Sequence, residues 1–261
     1  MIGQKNNIDI IVKWRCKKAV PRFIILSGEE GSGRLTLAKI ILNVLNAKGI
    51  IMGNSISDVR DTIEQAYYIT QTTCYIFRNA DDMKAEAKNA LLKVVEEPPN
   101  NAYFIMTVHN IDNMLGTIRS RGTVIKMEPY TREELKSYKD DAQLLDYCSN
   151  IGQMQIDIQA LDKAEVCVAD VICALQLRSG TKLLKSCTQL QAKQTDTDKV
   201  DALLFMRIFE KELLTAESVF SIACWPFISK CKQELNRSTI NKRASIEVML
   251  VNILEVLKNE I

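Results

Sequence analysis

Residues 73–121 read TCYIFRNADDMKAEAKNALLKVVEEPPNNAYFIMTVHNIDNMLGTIRSR, and this stretch decides the fold. The apolar run 74–77 predicts a short buried strand. Apolar residues then recur between Met83 and Val94 at the 3.6-residue spacing of a helix with one buried face. Pro98 and Pro99 end that helix, because proline lacks an N–H and pushes the preceding residue out of the α region. A second buried strand is predicted at 102–107.

The rest of the first half repeats this strand–helix alternation. Strands that alternate with helices predict an α/β fold with a parallel five-stranded sheet covered on both faces. After Pro129 the apolar pattern is helical throughout, interrupted by a polar linker at 191–198. The predicted strands are 23–27, 50–52, 74–77, 102–107 and 123–127, and the later helices are 131–150, 153–165, 167–188, 198–215, 217–235 and 238–260.

Two helices of the first half have specific predicted features. The segment 5–20 is expected to form a helix that buries one face, made of Ile8, Ile11, Val12 and Cys16. A second, amphipathic helix is expected over residues 57–68, with Ser57 as its N-cap, since serine side chains accept a hydrogen bond from the first-turn N–H groups.

Composition excludes several classes of protein. The 261 residues are 47% hydrophobic and 25% charged with a net charge of +2, which is ordinary for a soluble globular chain and too weakly basic for a protein that grips DNA alone. No apolar run approaches the roughly 20 residues that span a bilayer, so a cytoplasmic protein is expected. The eight cysteines form no C-x-x-C pair, and buried thiols are expected rather than a zinc site or disulfides.

A glycine-rich turn follows the first predicted strand. The residues from Gly28 to Gly33 have the frame of a phosphate-binding loop, G-x-x-x-x-G-K-[ST]. Arg34 stands at the lysine position and Leu35 at the hydroxyl position. Leucine cannot ligate Mg²⁺, and Thr36 comes one residue late, about 100° away around the helix.

The amino-acid sequence of residues 73–121 resembles that of a known family. Residues 89–93 (NALLK), 96–99 (EEPP) and 118–121 (IRSR) resemble the second half of the ATPase domain in bacterial clamp-loader subunits, the gamma/tau and delta-prime family of AAA+ proteins. The resemblance implies an AAA+ core at 1–128, a helical lid at 129–166 and a helical collar for oligomerisation at 167–261. Residues 238–254 are similar to the last collar helix.

The same resemblance implies a degenerate ATP site. It places Arg78 and Asn79 where the family has the aspartate that organises Mg²⁺ and the glutamate that activates water. Asp81 then matches a later aspartate, interpreted as a helix N-cap. His109 and Asn110 stand where the family has a nucleotide-sensing polar residue, although the sequence around them differs from that of the family. Since phosphoryl transfer needs the metal ligand, its acidic partner and the base together, no hydrolysis is expected.

This interpretation leaves the chain without a cofactor or metal of its own. ATP and Mg²⁺ are expected on partner subunits, and nucleotide or phosphate is expected to bind here weakly or not at all. The residues of that degenerate loop are Gly28, Gly31, Ser32, Gly33 and Arg34.

The resemblance also assigns a role to Ser120 and Arg121. In the family, the arginine of Ser-Arg-Cys projects to the ATP of an adjacent subunit, as an arginine finger supplied in trans. Gly122 replaces the cysteine here, and Arg119 is the nearest competitor for the role. Without the flanking match, Arg121 would be interpreted as the tip of a solvated turn.

Three functions follow as hypotheses. The first is a delta-prime-like stator that does not hydrolyse ATP, in a complex with gamma/tau-like ATPase and delta-like subunits that acts on a sliding clamp and primed DNA, without a membrane. The second is a divergent ATPase in which Arg34, Asp81 or Asp82 takes over the missing roles. The third is an AAA-fold interaction scaffold outside replication.

Overall fold

The computed structural model describes residues 2–191, 199–215, 220–235 and 240–259. The chain forms two compact units, Met1–Met154 and Gln155–Ile261. The division into core, lid and collar stays a prediction. The predicted linker, from 192 onwards, and the predicted start of the last helix at 238–239 lie outside the described residues. No helix within the described ranges has the length and apolar character needed to cross a membrane.

The first unit is built on a five-stranded sheet. All strand pairs are parallel, in the order β2-β3-β4-β1-β5. This confirms the predicted α/β class and the five predicted strands. The strands are β1 Phe23–Ser27, β2 Lys48–Met52, β3 Thr73–Phe77, β4 Ala102–Val108 and β5 Thr123–Lys126.

Helices connect these strands and cover the sheet. The 3₁₀ turns Ala80–Asp82 and Ile111–Asn113 follow β3 and β4 respectively. The helices of this unit are α1 Lys5–Lys17, α2 Arg34–Leu45, α3 Ile56–Tyr68, α4 Ala85–Glu96, α5 Gly116–Arg119, α6 Arg132–Tyr138 and α7 Ala142–Tyr147.

Both faces of the sheet carry a hydrophobic cluster, because successive side chains of a strand point to opposite faces. On one face Ile24 and Leu26 of β1 join Leu37 and Ile41 of α2. On the other face, residues of β1, β3 and β4 join residues of α3, α4 and α5. The latter cluster includes Phe23, Ile25, Val59, Tyr75, Phe77, Leu91, Val94, Phe104 and Ile118.

The first helix differs from its prediction. It ends at Lys17 rather than 20, because Lys18 adopts the left-handed conformation (φ 49°) and caps it. Ile11 is buried as predicted, whereas Val12 and Cys16 are exposed, so the buried face is narrower than the apolar pattern suggested. Cys173 is also exposed, against the expectation of buried thiols. The buried cysteines are Cys74, Cys148, Cys167, Cys187, Cys224 and Cys231.

Helix α3 begins earlier than predicted. Its N-cap is Ser55 rather than Ser57, because Ser55 and Asp58 form a reciprocal capping box. The Asp58 N–H donates to Ser55 Oγ and the Ser55 N–H donates to the Asp58 carboxylate, both over 3.2 Å.

The second unit is helical. Helix α8 passes through residue 166, where a break was predicted, because the buried residues Leu161, Ala164, Val168 and Val171 continue one helical stripe. Conversely, the single helix predicted for 131–150 is the pair α6 and α7, since Asp141 caps α7. The helices of the second unit are α8 Ile158–Gln176, α9 Gly180–Cys187, α10 Ala202–Thr215, α11 Phe220–Leu235 and α12 Lys242–Asn259.

Candidate functional site

The glycine-rich loop lies at the carboxyl edge of the sheet. It leaves β1, which is paired with β4 on one side and β5 on the other. The Gly28 N–H donates to the carbonyl of Val108, at the end of β4, over 3.1 Å. In open parallel sheets, ligands bind outside the carboxyl ends of the strands where the strand order reverses, and β1 occupies that position here.

Glycine is required at three points of this loop. Gly31 (φ +84°) and Gly33 (φ +92°) adopt the left-handed conformation that suits glycine, and Gly33 caps the start of α2. A Cβ added at Gly28 would lie 2.7 Å from the Cβ of Met127. The glycines therefore set the backbone path of the loop, in which the five residues named by the sequence analysis lie.

Two side chains of the loop carry polar atoms that lack a partner. Arg34 is only 7% exposed and Ser32 only 6%. Arg34 Nη1 and Ser32 Oγ are buried and make no hydrogen bond to the part of the chain that the structure describes. Burial lowers the pKa of the Arg34 guanidinium, and the carboxylate of Asp81 opposes this shift. Two buried donors beside a helix N-terminus fit an anion such as a phosphate group.

The positions at which the resemblance implies magnesium-organising residues do not fit that ion. Leu35 is half-buried at the position of the ligating hydroxyl, and Thr36 is exposed. After β3, Arg78 is exposed, and Asn79 adopts the left-handed conformation (φ 49°). The Asn79 N–H donates to Thr107 Oγ1 over 3.0 Å. Carboxylate and hydroxyl oxygens are the ligands that Mg²⁺ prefers, and Leu35 and Arg78 supply neither.

The sequence analysis interpreted Asp81 as a helix N-cap, and this prediction is wrong. Helix α4 starts at Ala85, with Lys84 at its cap. Asp81 Oδ2 instead accepts hydrogen bonds from the N–H groups of His109 (2.9 Å) and Asn110 (3.1 Å), and His109 Nδ1 lies 3.6 Å from Oδ1. Burial alone would raise the pKa of Asp81, but the contacts with His109 and Asn110 outweigh it and hold the pKa below its ordinary value. Asp81 thus joins the loops that follow β3 and β4.

Lys88 is a structural residue of this region that the sequence analysis missed. Its Nζ donates to the carbonyls of Asp81 and Asn113, each over 2.8 Å, and the residue is 7% exposed. Burial lowers its pKa, against the opposing charge of Asp81. A signal was present in the sequence, because Lys88 lies three residues before Leu91 and seven before Val95, on the buried stripe of α4.

A second missed contact involves residues that follow α7. Asn150 Nδ2 donates to the carbonyl of Glu30 over 3.0 Å, and the Gly152 N–H donates to the carbonyl of Gly31 over 3.1 Å. Asn150 is 2% exposed. These contacts lie outside any motif of the sequence, since they join residues about 120 positions apart.

Arg121 lies at the opposite, amino-terminal edge of the sheet, between α5 and β5. Its Nη2 is 2.8 Å from Glu96 Oε1, and its Nη1 donates to the carbonyl of Thr117 over 2.8 Å. The side chain is 38% exposed. Ser120 Oγ also donates to the Thr117 carbonyl, over 3.1 Å. The structure therefore separates Arg121 and Ser120 from the loop residues by the length of the strands.

The neighbours of Arg121 differ in their roles. Arg119 forms an ion pair with Asp112 over 2.7 Å. At Gly122, a Cβ would lie 2.8 Å from both Ile25 Cδ1 and Phe23 Cε1. The glycine thus lets the chain pass closely over the start of β1, a packing reason for its presence where the resembling family has cysteine.

The chain is similar to subunits of DNA polymerase III. The family model described as DNA polymerase III, delta subunit, matches residues 44–131. The chain is 24% identical over 169 residues to DNA polymerase III subunit gamma of Buchnera aphidicola subsp. Schizaphis graminum, covering 53% of this chain and 47% of that protein. It is 28% identical over 151 residues to subunit gamma/tau of Mycoplasma genitalium, covering 46% of this chain and 25% of that protein.

The matching region spans about half the length of the Buchnera protein. A solved structure with a similar fold is that of a DNA polymerase III, gamma subunit-related protein from Thermotoga maritima. It has a TM-score of 0.58 and 16% sequence identity, and it covers 95% of this chain and 98% of that one. About half of the chain is thus similar in sequence to the gamma and gamma/tau subunits of DNA polymerase III, and its fold is similar to that of the gamma subunit-related protein.

Proposed function

We propose that this chain is a cytoplasmic, delta-prime-like subunit of a DNA polymerase III-type clamp loader that does not hydrolyse ATP and supplies Arg121 to the ATP site of a neighbouring subunit. Its partners are gamma/tau-like ATPase and delta-like subunits. Through that complex it acts on a sliding clamp and primed DNA during replication. The collar that would hold the ring together is the helical C-terminal region.

The observation that carries this proposal is a contrast between the two edges of the sheet. At the carboxyl edge, the phosphate loop keeps its shape but stands beside Leu35, Arg78 and Asn79, a set without the metal ligand and the base that phosphoryl transfer needs. At the amino edge, Arg121 is partly exposed on a short turn. The chain thus has a phosphate loop without the residues for hydrolysis, and a partly exposed arginine at the other edge of the sheet. This combination suits a subunit that acts on the nucleotide of its neighbour.

Phosphate binding at the loop is a separate part of the proposal. The buried, unpartnered Arg34 Nη1 and Ser32 Oγ support binding of a phosphate group through Gly28, Gly31 and Gly33 without a metal ion. Partner subunits would bind the ATP that is hydrolysed, together with its Mg²⁺. The loop then serves as a static anion site rather than a catalytic one.

The test is reconstitution with the gamma/tau-like and delta-like subunits of the same cell. Single-turnover hydrolysis is measured at the ATP site that faces this chain, with wild type, Arg121→Ala and the control Arg119→Ala. We expect Arg121→Ala to slow hydrolysis at that site by a factor on the order of 10³, as for other arginine fingers, without loss of assembly. Arg119→Ala is expected to leave the rate within about two-fold, since the resemblance assigns the finger to Arg121 of the Ser120-Arg121 pair.

Two outcomes would overturn the proposal in different ways. Mg²⁺-dependent turnover by the isolated chain, abolished by Asp81→Asn, would identify a divergent ATPase. The placement of Asp81 argues against this outcome, because its Oδ2 already accepts two backbone N–H groups. Failure of the chain to associate with clamp-loader subunits would identify an interaction scaffold outside replication.

A further inference from the structure

The guanidinium of Arg121 is held within its own chain. Nη2 contacts Glu96 Oε1 over 2.8 Å, and Nη1 donates to the Thr117 carbonyl over 2.8 Å. Both terminal nitrogens are thus engaged with groups of α4 and α5. A phosphate oxygen of a neighbouring nucleotide would need the same N–H groups, because guanidinium binds carboxylates and phosphates with the same planar set of donors.

The position of Glu96 points to a specific role for this contact. Glu96 is the last residue of α4, where the helix dipole disfavours a negative charge. Arg121 offsets that charge from the neighbouring turn. Glu97, the next residue, is also exposed, but Arg121 contacts the carboxylate of Glu96.

The ion pair between Glu96 and Arg121 is also weak enough for a competing group to break it. The side chain of Glu96 is 47% exposed and that of Arg121 is 38% exposed. Ion pairs in such surroundings shift an equilibrium by a factor of roughly 1.4 to 5. A pair of this strength can hold an arginine in place between encounters and release it to a more strongly charged partner.

We propose that Glu96 is a positioning residue that retains Arg121 against its own subunit and competes with the neighbour's nucleotide phosphate for it. This inference rests on the proposed function, since it assigns a regulator to the same arginine. Glu96 does not touch the nucleotide. It sets the fraction of subunits in which Arg121 is free to reach across the interface.

The decisive experiment uses the reconstituted complex with Glu96→Gln, the matched control Glu97→Gln, and Glu96→Gln combined with Arg121→Ala. Glutamine keeps the shape of the side chain and removes the charge. We expect Glu96→Gln to raise kcat at the facing ATP site by roughly 1.4- to 5-fold with KM for ATP unchanged. Glu97→Gln should leave kcat unchanged, and Glu96→Gln should have no effect once Arg121 is replaced by alanine.

A second measurement does not depend on activity. A double-mutant cycle on the isolated chain compares the unfolding equilibrium constants of Glu96→Gln, Arg121→Ala and the double variant in urea. Coupling by a factor of roughly 1.4 to 5 is expected, and additive effects would show that the pair does not hold.

The failures of the two proposals are distinguishable. If Arg121→Ala slows hydrolysis but Glu96→Gln leaves kcat unchanged or lowers it, the positioning role is wrong and the arginine finger remains. If Arg121→Ala has no effect on hydrolysis, the proposed function is wrong, and the retaining role of Glu96 falls with it.

Discussion

Gly152 lies directly against Gly31 of the phosphate loop. The Gly152 N–H donates to the Gly31 carbonyl over 3.1 Å, and a Cβ added at Gly152 would lie 2.3 Å from the Gly31 Cα. The neighbour of that Cβ would be backbone, which cannot turn aside as a flexible side chain does. The close approach of the two main chains therefore depends on glycine at both positions.

Gly152→Ala should lower the free energy of unfolding by about 1–3 kcal/mol, the usual cost of overpacking. Urea unfolding of the full chain measures it. The control is Gly116→Ala at the start of α5, where an added Cβ meets nothing within 4 Å. That variant should be neutral or more stable by up to about 1 kcal/mol, because alanine favours a helix over glycine. Equal effects of the two variants would contradict the close approach.

Asp81→Asn should lower the free energy of unfolding at pH 7 by about 1–2 kcal/mol, because the carboxylate accepts charge-assisted hydrogen bonds from His109 and Asn110. The folded pKa of Asp81 lies below the ordinary 3.8. Its stabilisation is therefore fully present above the unfolded value and is lost as the pH falls through the folded value.

The difference in the free energy of unfolding between wild type and Asp81→Asn should thus shrink as the pH is lowered below about 4. Urea unfolding across that pH range measures it. The control is Asp82→Asn, since that neighbouring carboxylate accepts neither backbone N–H. It should change stability by less than about 0.5 kcal/mol. A difference that is constant down to low pH would contradict the role of the charge.

Arg34→Ala should weaken pyrophosphate binding at least about ten-fold, because a charge-assisted hydrogen bond from a guanidinium contributes about 1.5–3 kcal/mol. Calorimetry in EDTA, without Mg²⁺, should still detect wild-type binding, since Leu35 replaces the magnesium-ligating hydroxyl. Arg34→Lys, which keeps the charge, should retain binding, and Thr36→Ala should bind like wild type because Thr36 is exposed. Binding that needs Mg²⁺ would contradict this account of the loop.

Gly122→Cys should lower the free energy of unfolding by about 1 kcal/mol, because the new Cβ would lie 2.8 Å from Ile25 Cδ1 and Phe23 Cε1. The added variant Ile25→Val removes the Cδ1 atom. Ile25→Val should therefore lower the free energy of unfolding less in the Gly122→Cys background than in wild type. Urea unfolding of wild type, the two single variants and the double variant measures this coupling. Strict additivity would show that the cysteine fits without displacing Ile25.

The periodicity of the sequence was sufficient for the elements whose neighbours are local in the chain. Buried parallel strands are continuous apolar runs, and residues 74–77 and 102–107 stand out as such. Helix ends were predicted less well, because capping depends on which side chain reaches which N–H. Ser55 precedes α3 and Ser57 lies in its first turn, and the reciprocal bond with Asp58 selects Ser55 as the N-cap.

The phosphate loop was predictable for a similar reason. Its glycines, Arg34 and Leu35 lie close together in the chain, so their residue types define the glycine frame and put a leucine at the position of the hydroxyl residue. The contacts that support the loop were not predictable, because Asn150 and Gly152 carry no pattern that marks them as neighbours of Glu30 and Gly31.

The sequence by itself determined the α/β class, the five strands and the glycine frame of the loop after β1, since each depends on residues that are close along the chain. The tertiary structure decided what those residues contact. It places Asp81 on the N–H groups of His109 and Asn110, and it places Arg121 on Glu96. Hydrogen bonds and ion pairs between distant segments arise from the packing of helices on the sheet, which brings together side chains whose spacing in the sequence carries no information about distance.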